Sequence, residues 1–357
     1  DFQEFIDNEN FIVLKEYETN YRTSLFSVFE LLMFNFIALL EKYNIFLPLI
    51  RPNVVDKVIK KYKIDILHST YQHLPETKSN IPKIATLHDL QEIHFPEFFT
   101  PEIRARRATE FLKITKTASK IIVSYKHIKD DIIKYFNVDE SKIEVILLNM
   151  QNLWFDKFLK TDQNPNNCSL ELPDKFVFYP AATWKHKNHM HLLLAIKLIN
   201  EKYKIRINLV CTGHKTEYYK VLENACIEMN LISQVFFIGK VSEEELLYIY
   251  NKCTAIVIPT LYEAGSFPLM ESILLGIPCV CSNVTSLPET LGNNDYLFDP
   301  SKPEDIAAKI VRIVSDEDYR TAELAHFKNA SKKLTNTPSL DLFSYIYYSI
   351  AKTKDLK

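Results

Sequence analysis

Residues 259–280 read PTLYEAGSFPLMESILLGIPCV, and they pass from strand end to turn to helix within a dozen positions. The apolar run AIVI at 255–258, just upstream, has the length and β-branching of a buried strand. A Gly-Ser-Phe-Pro turn follows, and an apolar helix leaves it at Phe267 or Pro268. Pro268 suits the first helical position, where its missing N–H costs nothing. The turn therefore offers free backbone N–H groups at the positive end of a helix, a seat for phosphate. Glu263 stands just before that seat, and Glu271 lies about one turn into the helix. Two acceptor-only carboxylates beside an anion seat suit a ligand carrying both phosphate and hydroxyl groups. An ordinary strand–turn–helix with two solvated glutamates has the same pattern, so the rest of the chain must decide.

The chain has 357 residues, more than one hydrophobic core usually organises, so two domains are expected. Its 47% hydrophobic and 25% charged content is that of a soluble globular protein. A net charge of -2 gives no reason to expect nucleic acid as a partner. Six Cys are scattered without metal-ligand spacing, which points to a reduced compartment, the cytoplasm, rather than a disulfide framework. Residues 25–40 form the one membrane candidate. They are short for a span and interrupted by Glu30 and Asn35, so a buried or interfacial helix is expected. Five Gly is few, and each invites a backbone explanation.

Short β-branched runs alternate with helical patterns in both halves. In the first, IDILHS (64–69), KIATLHD (83–89), KIIVSY (120–125) and KIEVILL (142–148) read as strands. In the second, KFVFYP, IRINLVC, VFFIG, AIVIP and PCVCS do so, separated by helices near 188–203, 215–230, 243–252, 268–276 and 303–315. Such alternation means βαβ units and parallel sheets. Residues 160–173, rich in Asn and Pro, read as the linker. The expected organisation is a first domain over 1–165, a second over 170–335, and an amphipathic helix over 338–357. Two doubly wound domains leave a cleft between them, the usual ligand site of such sheets.

The second half carries, in order, YPAATWKHKNH, LVCTGH, VFFIGKVSEEELLYIY, PTLYEAGSFPLMES, SLPET and YLFDP. The first carries STYQHLP, TLHDLQEIHFPEFFTPEIRARR and KIIVSYKHIKDDI. Together these resemble the retaining glycosyltransferases of the GT-B fold, family 4 (glycosyl transferases group 1), over about 65–316. The resemblance implies an α/β architecture of two Rossmann-like doubly wound domains facing across a cleft, with a C-terminal helix crossing back to the first. It implies hexosyl transfer from a nucleotide diphosphate sugar to a saccharide or lipid-linked acceptor, with retention and without a metal or other cofactor. The HDLQ–HFPEFF and WKHKNH variants are similar to mannosyl-transferring relatives in surface-polysaccharide assembly, so GDP-mannose is the expected donor, with UDP-glucose and UDP-N-acetylglucosamine as the other choices.

Position by position, the resemblance assigns Lys187 to the donor diphosphate, with Asn188 beside it. It puts Glu271 on the ribose hydroxyls, and Glu263 and His88 beside the transferred sugar. Gly239, Lys240 and Val241 fall where relatives contact the base through main-chain atoms, and Gly265, Ser266 and Phe267 supply phosphate-binding amides. His88, Glu263 and Lys187 are thus the expected catalytic group. Ser124, at a strand end facing the cleft, is a further candidate.

The chain departs from the family in three ways. Ala182 stands where many relatives have Arg, leaving Lys185 or His186 to compensate. The usual Gly-rich turn after the first strand is missing, so either the N-terminus is truncated or the acceptor side is rebuilt. The Glu-to-Glu stretch keeps a Gly and the Pro, with the Gly shifted. These departures keep two alternatives open: a nucleotide-sugar epimerase or phosphorylase of the same architecture, and a non-catalytic nucleotide-sugar-binding partner subunit. Asp316, Glu317 and Asp318 make an Asp-x-Asp, which after a helix reads as a solvated turn, so no metal is expected. Basic runs KVIKKYK (57–63) and RARR (104–107) read as exposed helix faces. Clustered with residues 25–40, they would instead hold the chain peripherally at an anionic inner membrane face.

Overall fold

A computed structural model describes residues 54–147, 150, 170–336 and 338–352. The expected helix at 25–40, the start of the chain and most of the 160–173 linker lie outside the described residues.

Four short parallel strands, β1 (Leu67–Ser69), β2 (Lys83–Thr86), β3 (Lys120–Val123) and β4 (Ile143–Val145), pair in the order β1-β2-β3-β4. The order follows the chain, so each connection is a crossover in one direction. The described helices of this half are α1 (Val54–Tyr62), the single turn α2 (Gln91–His94), α3 (Pro101–Thr117) and α4 (Lys126–Phe136). Thr100 caps α3 by accepting from the Ile103 N–H, and Pro101 opens that helix. Left-handed Asn137 closes α4.

The second half is a six-stranded parallel sheet of β5 (Phe176–Pro180), β6 (Asn208–Thr212), β7 (Val235–Gly239), β8 (Ala255–Ile258), β9 (Cys279–Ser282) and β10 (Leu297–Phe298). Its order is β10-β9-β8-β5-β6-β7. Every residue of β8 and β9 is buried, as parallel strands covered on both faces require. The covering helices are α5 (His189–Leu198), α6 (Tyr219–Glu228), α7 (Glu243–Lys252), α8 (Phe267–Leu275), α9 (Leu287–Leu291), α10 (Pro303–Ser315) and α11 (Glu317–Thr335). A full capping box, Ser242 with Glu245, opens α7.

The last helix, α12 (Ser339–Lys352), packs on the four-stranded sheet, not on the sheet that precedes it in sequence. Ile346 and Ile350 bury against Ile84, Ile122 and Ile146. The Tyr347 hydroxyl lies 2.7 Å from His68 Nδ1. The α/β class with two parallel sheets and a returning C-terminal helix is thus as the sequence implied. Among the described residues no helix is long and apolar enough to cross a membrane.

Candidate functional site

From β5 the chain proceeds to β6 and β7 on one side, while β8, β9 and β10 fill the other. The sheet therefore reverses direction between β5 and β8, and a crevice opens at the carboxyl ends of those two strands, as such reversals dictate. A cavity of about 220 Å³ occupies it, walled by 179–182 at the end of β5, by Ile258 at the end of β8 and Glu263 beyond it, by Lys187, and by residues 265–268.

Local hydrogen bonds fix its polar groups. The Thr260 hydroxyl donates to the His186 carbonyl at 3.1 Å, and the Leu261 N–H donates to the same oxygen at 2.8 Å. This ties the loop after β8 to the turn 185–187. The Asn188 amide, buried in left-handed backbone (φ 60°), donates to the Pro259 and Pro300 carbonyls at 2.8 and 2.9 Å. From behind, the Glu263 N–H donates to Thr285 Oγ1 at 3.0 Å, and the Ser286 hydroxyl donates to the Glu263 carbonyl at 3.0 Å. The braced turn and loop bring Lys187 Nζ to 2.5 Å from Glu263 Oε1. Burial pushes the Glu263 carboxyl above its ordinary range, and Lys187 pulls it back down.

Helix α8 begins at Phe267, so Pro268 takes the second helical position rather than the first. Ser266 caps it, accepting from the Leu269 N–H. Gly265, Ser266 and Phe267 wall the cavity at the positive end of the helix. Glu271 is buried deeper in α8, with Oε2 accepting from the Tyr250 hydroxyl at 2.6 Å. Gly239, with φ 91°, ends β7, and its carbonyl accepts from the Gly213 N–H at 2.8 Å; Lys240 is exposed and Val241 half-buried beside it. These three and Glu271 lie outside the walls of the cavity.

His88 belongs to the first half, follows β2, and is exposed. Its Nε2–H donates to the Thr70 carbonyl at 2.8 Å, so in the neutral ring the lone pair is on Nδ1. Ser124 is buried at the end of β3. Neither side chain proposed to replace the missing Arg is among the residues that wall the cavity at Ala182. Lys185 lies over the Tyr218 ring, and burial with the neighbouring Lys187 charge pushes His186 down to about 4, so it is neutral. Asp316 caps α11, accepting from the Tyr319 N–H, so the Asp-x-Asp opens a helix. Arg107 corrects the surface reading of RARR: it is a partly buried ion-pair partner of Asp89 and Glu92, with Nε 2.8 Å from Glu92 Oε2.

Residues 161–334 match the family Glycosyl transferases group 1, and residues 34–147 match Glycosyltransferase Family 4. The chain belongs to the family 4 glycosyltransferases. O-antigen chain mannosyltransferase B of Escherichia coli is 26% identical to it over 319 residues, covering 86% of this chain and 80% of that one. Among solved structures, sucrose-phosphate synthase from Thermosynechococcus elongatus superposes with a TM-score of 0.66 at 17% identity, covering 84% of this chain and 77% of that one. HepE of Anabaena, in complex with UDP and glucose, superposes at 0.64 with 18% identity, covering 84% and 81%. Both share the GT-B fold of this glycosyltransferase.

Several residues that build this glycosyltransferase's site gave little sign in the sequence. Gly213 has φ 113°, and a Cβ there would meet Ala181 C and Ala182 N at 2.7 Å, so only glycine lets the strand ends close under the cavity wall. Its scarcity in a Gly-poor chain was the available signal. Gln72, Tyr250, Tyr262 and Thr285 act through contacts distant in sequence, and no local pattern marks them.

Proposed function

We propose that this glycosyltransferase moves a hexose, with mannose from GDP-mannose as the leading choice, onto a saccharide or lipid-linked acceptor in polysaccharide or glycoconjugate assembly, with retention and without a metal. The observation that carries the proposal is the Lys187–Glu263 pair inside a cavity at the sheet's reversal point, at the N-terminus of α8. The E. coli relative's name supports mannose and a polysaccharide product. The UDP and glucose in the HepE structure support a nucleotide diphosphate seat on this fold.

In this reading the donor diphosphate takes Lys187 away from Glu263. Its remaining oxygens accept from the amides of 265–267, and the cation and helix end stabilise the charge that develops on the leaving group. The Glu263 carboxyl, left in a buried setting, then accepts a sugar hydroxyl proton or supports positive charge on the ring. His88 offers its Nδ1 lone pair to a sugar hydroxyl from the other side. The transition state resembles an oxocarbenium ion, as in other glycosyl chemistry. Departure and attack on one face, with the phosphate assisting deprotonation, require no carboxylate on the opposite face.

Ala182, with Lys185 and His186 outside the cavity wall, favours the non-catalytic binder as a second reading. Calorimetric titration with UDP, GDP and their sugar conjugates, with and without chelator, tests both. One nucleotide should bind, indifferent to chelator, and Lys187→Ala should weaken it by about 10-fold or more. Binding without transfer to any acceptor would favour the binder, and no binding across the panel would overturn both readings.

A further inference from the structure

Residues 88–90, which carry His88, form a loop segment whose three backbone N–H groups all donate to side chains. Gln72 Oε1 accepts from the His88 N–H at 3.1 Å and from the Asp89 N–H at 3.0 Å. The third, the Leu90 N–H, crosses to the other half of the molecule and donates to the Tyr262 hydroxyl at 3.1 Å. Tyr262 is 3% exposed, and it immediately precedes Glu263. Its ring sits among rings of the first half: His94 at 5.6 Å, His127 at 6.1 Å and Phe95 at 6.4 Å between centroids.

The other end of the Tyr262 segment is equally fixed. Thr260 Oγ1 shares its one proton between the Tyr262 carbonyl at 2.9 Å and the His186 carbonyl, in the turn bearing Lys187, at 3.1 Å. One side chain thus connects the His88 loop to the backbone that aims Glu263. It stands outside the cavity wall and reaches no donor seat itself. We propose that Tyr262 is a positioning residue that sets the register between His88 on one sheet and Glu263 on the other.

The inference rests on the proposed transfer reaction for its catalytic meaning, and on geometry alone for the crossing hydrogen bond. The substitution Tyr262→Phe removes the hydroxyl and keeps the enclosed ring. Amide hydrogen exchange of the full-length variant should rise about tenfold at Leu90, the cost of one hydrogen bond, with the β8 and β9 amides unchanged. With GDP-mannose and a synthetic mannoside as probes, kcat should fall about 10-fold while KM for the donor holds. In a His88→Ala background the same substitution should have little further effect, because its influence passes through His88.

Unchanged exchange at Leu90 would overturn the proposal. So would additive losses in the double variant, which would make Tyr262 a structural residue only. Absence of GDP-mannose turnover by the wild-type chain would count against the donor assignment, and the exchange result would then decide on Tyr262 by itself.

Discussion

At Glu263 a carboxylate is held from water next to one cation, and the two opposing influences on its protonation come from burial and from Lys187. If the pair must part for the diphosphate to bind, then Glu263→Gln frees Lys187 in advance. The variant should bind nucleotide diphosphate about 3- to 10-fold more tightly while losing transfer, because an ion pair no longer competes with the ligand. Calorimetry beside a transfer assay reads both, and weaker binding would show that Glu263 itself helps to hold the donor. Glu323 presents a different case, far from the cavity. It is fully buried on α11, Oε2 accepts from the Cys279 N–H at 3.1 Å, and burial pushes its carboxyl up to about 9. The folded chain holds that proton and the unfolded chain releases it near 4.5. Its contribution is therefore complete below about 4.5 and is lost progressively as pH rises through about 9. Glu323→Gln keeps an acceptor for Cys279 and cannot ionise. Thermal unfolding followed from pH 5 to 9 should show its advantage over wild type growing, to about 3 kcal/mol by neutral pH. A constant difference would mean that the carboxyl is solvated.

At the scale of elements, the loop after β5 and the ends of β6 and β7 are locked by backbone contact. Gly213→Ala would place a methyl group against Ala181 and Ala182 in left-handed backbone. Destabilisation by about 2–4 kcal/mol is expected, with loss of nucleotide binding because the displaced loop walls the cavity. Denaturant unfolding and calorimetry check this; wild-type affinity in a stable variant would separate the loop from the site. Most elements were legible because their signals are local. The run AIVI is wholly buried as β8, and Ser-Phe-Pro does start a helix. Boundaries were less so: the six residues of IDILHS give a strand of three, half-buried and first in order among the described strands of its sheet. YLFDP carries a two-residue strand, β10, too short for any periodicity to reveal. The paired glutamates were legible as residues but not as partners. Glu271 turned out to meet Tyr250 of α7, and Glu263 to meet Lys187, separations of 21 and 76 residues.

Across the whole molecule, α12 closes the chain onto the sheet where its described part begins. Ile346→Asp would bury a carboxylate among Ile84, Ile122 and Ile146. A loss of about 3 kcal/mol or more is expected, concentrated in the four-stranded half. Hydrogen exchange should show β2 and β3 opening first, and uniform loosening of both sheets would mean that the halves unfold as one unit. What the sequence determined by itself follows from local chemistry: parallel sheets from strand–helix alternation, a capped helix start from the Ser-Phe-Pro turn, and an amphipathic last helix. Family motifs then named His88, Lys187, Glu263 and Glu271. Tertiary structure alone decided which groups meet. The strand order puts β5 beside β8 and opens the crevice between them, Gly213 lets two strand ends close, Arg107 turns inward to Asp89, and the Tyr262 hydroxyl finds the Leu90 amide. Hydrogen bonds and ion pairs act over about 3 Å and are blind to separation along the chain, so no sequence pattern can announce them.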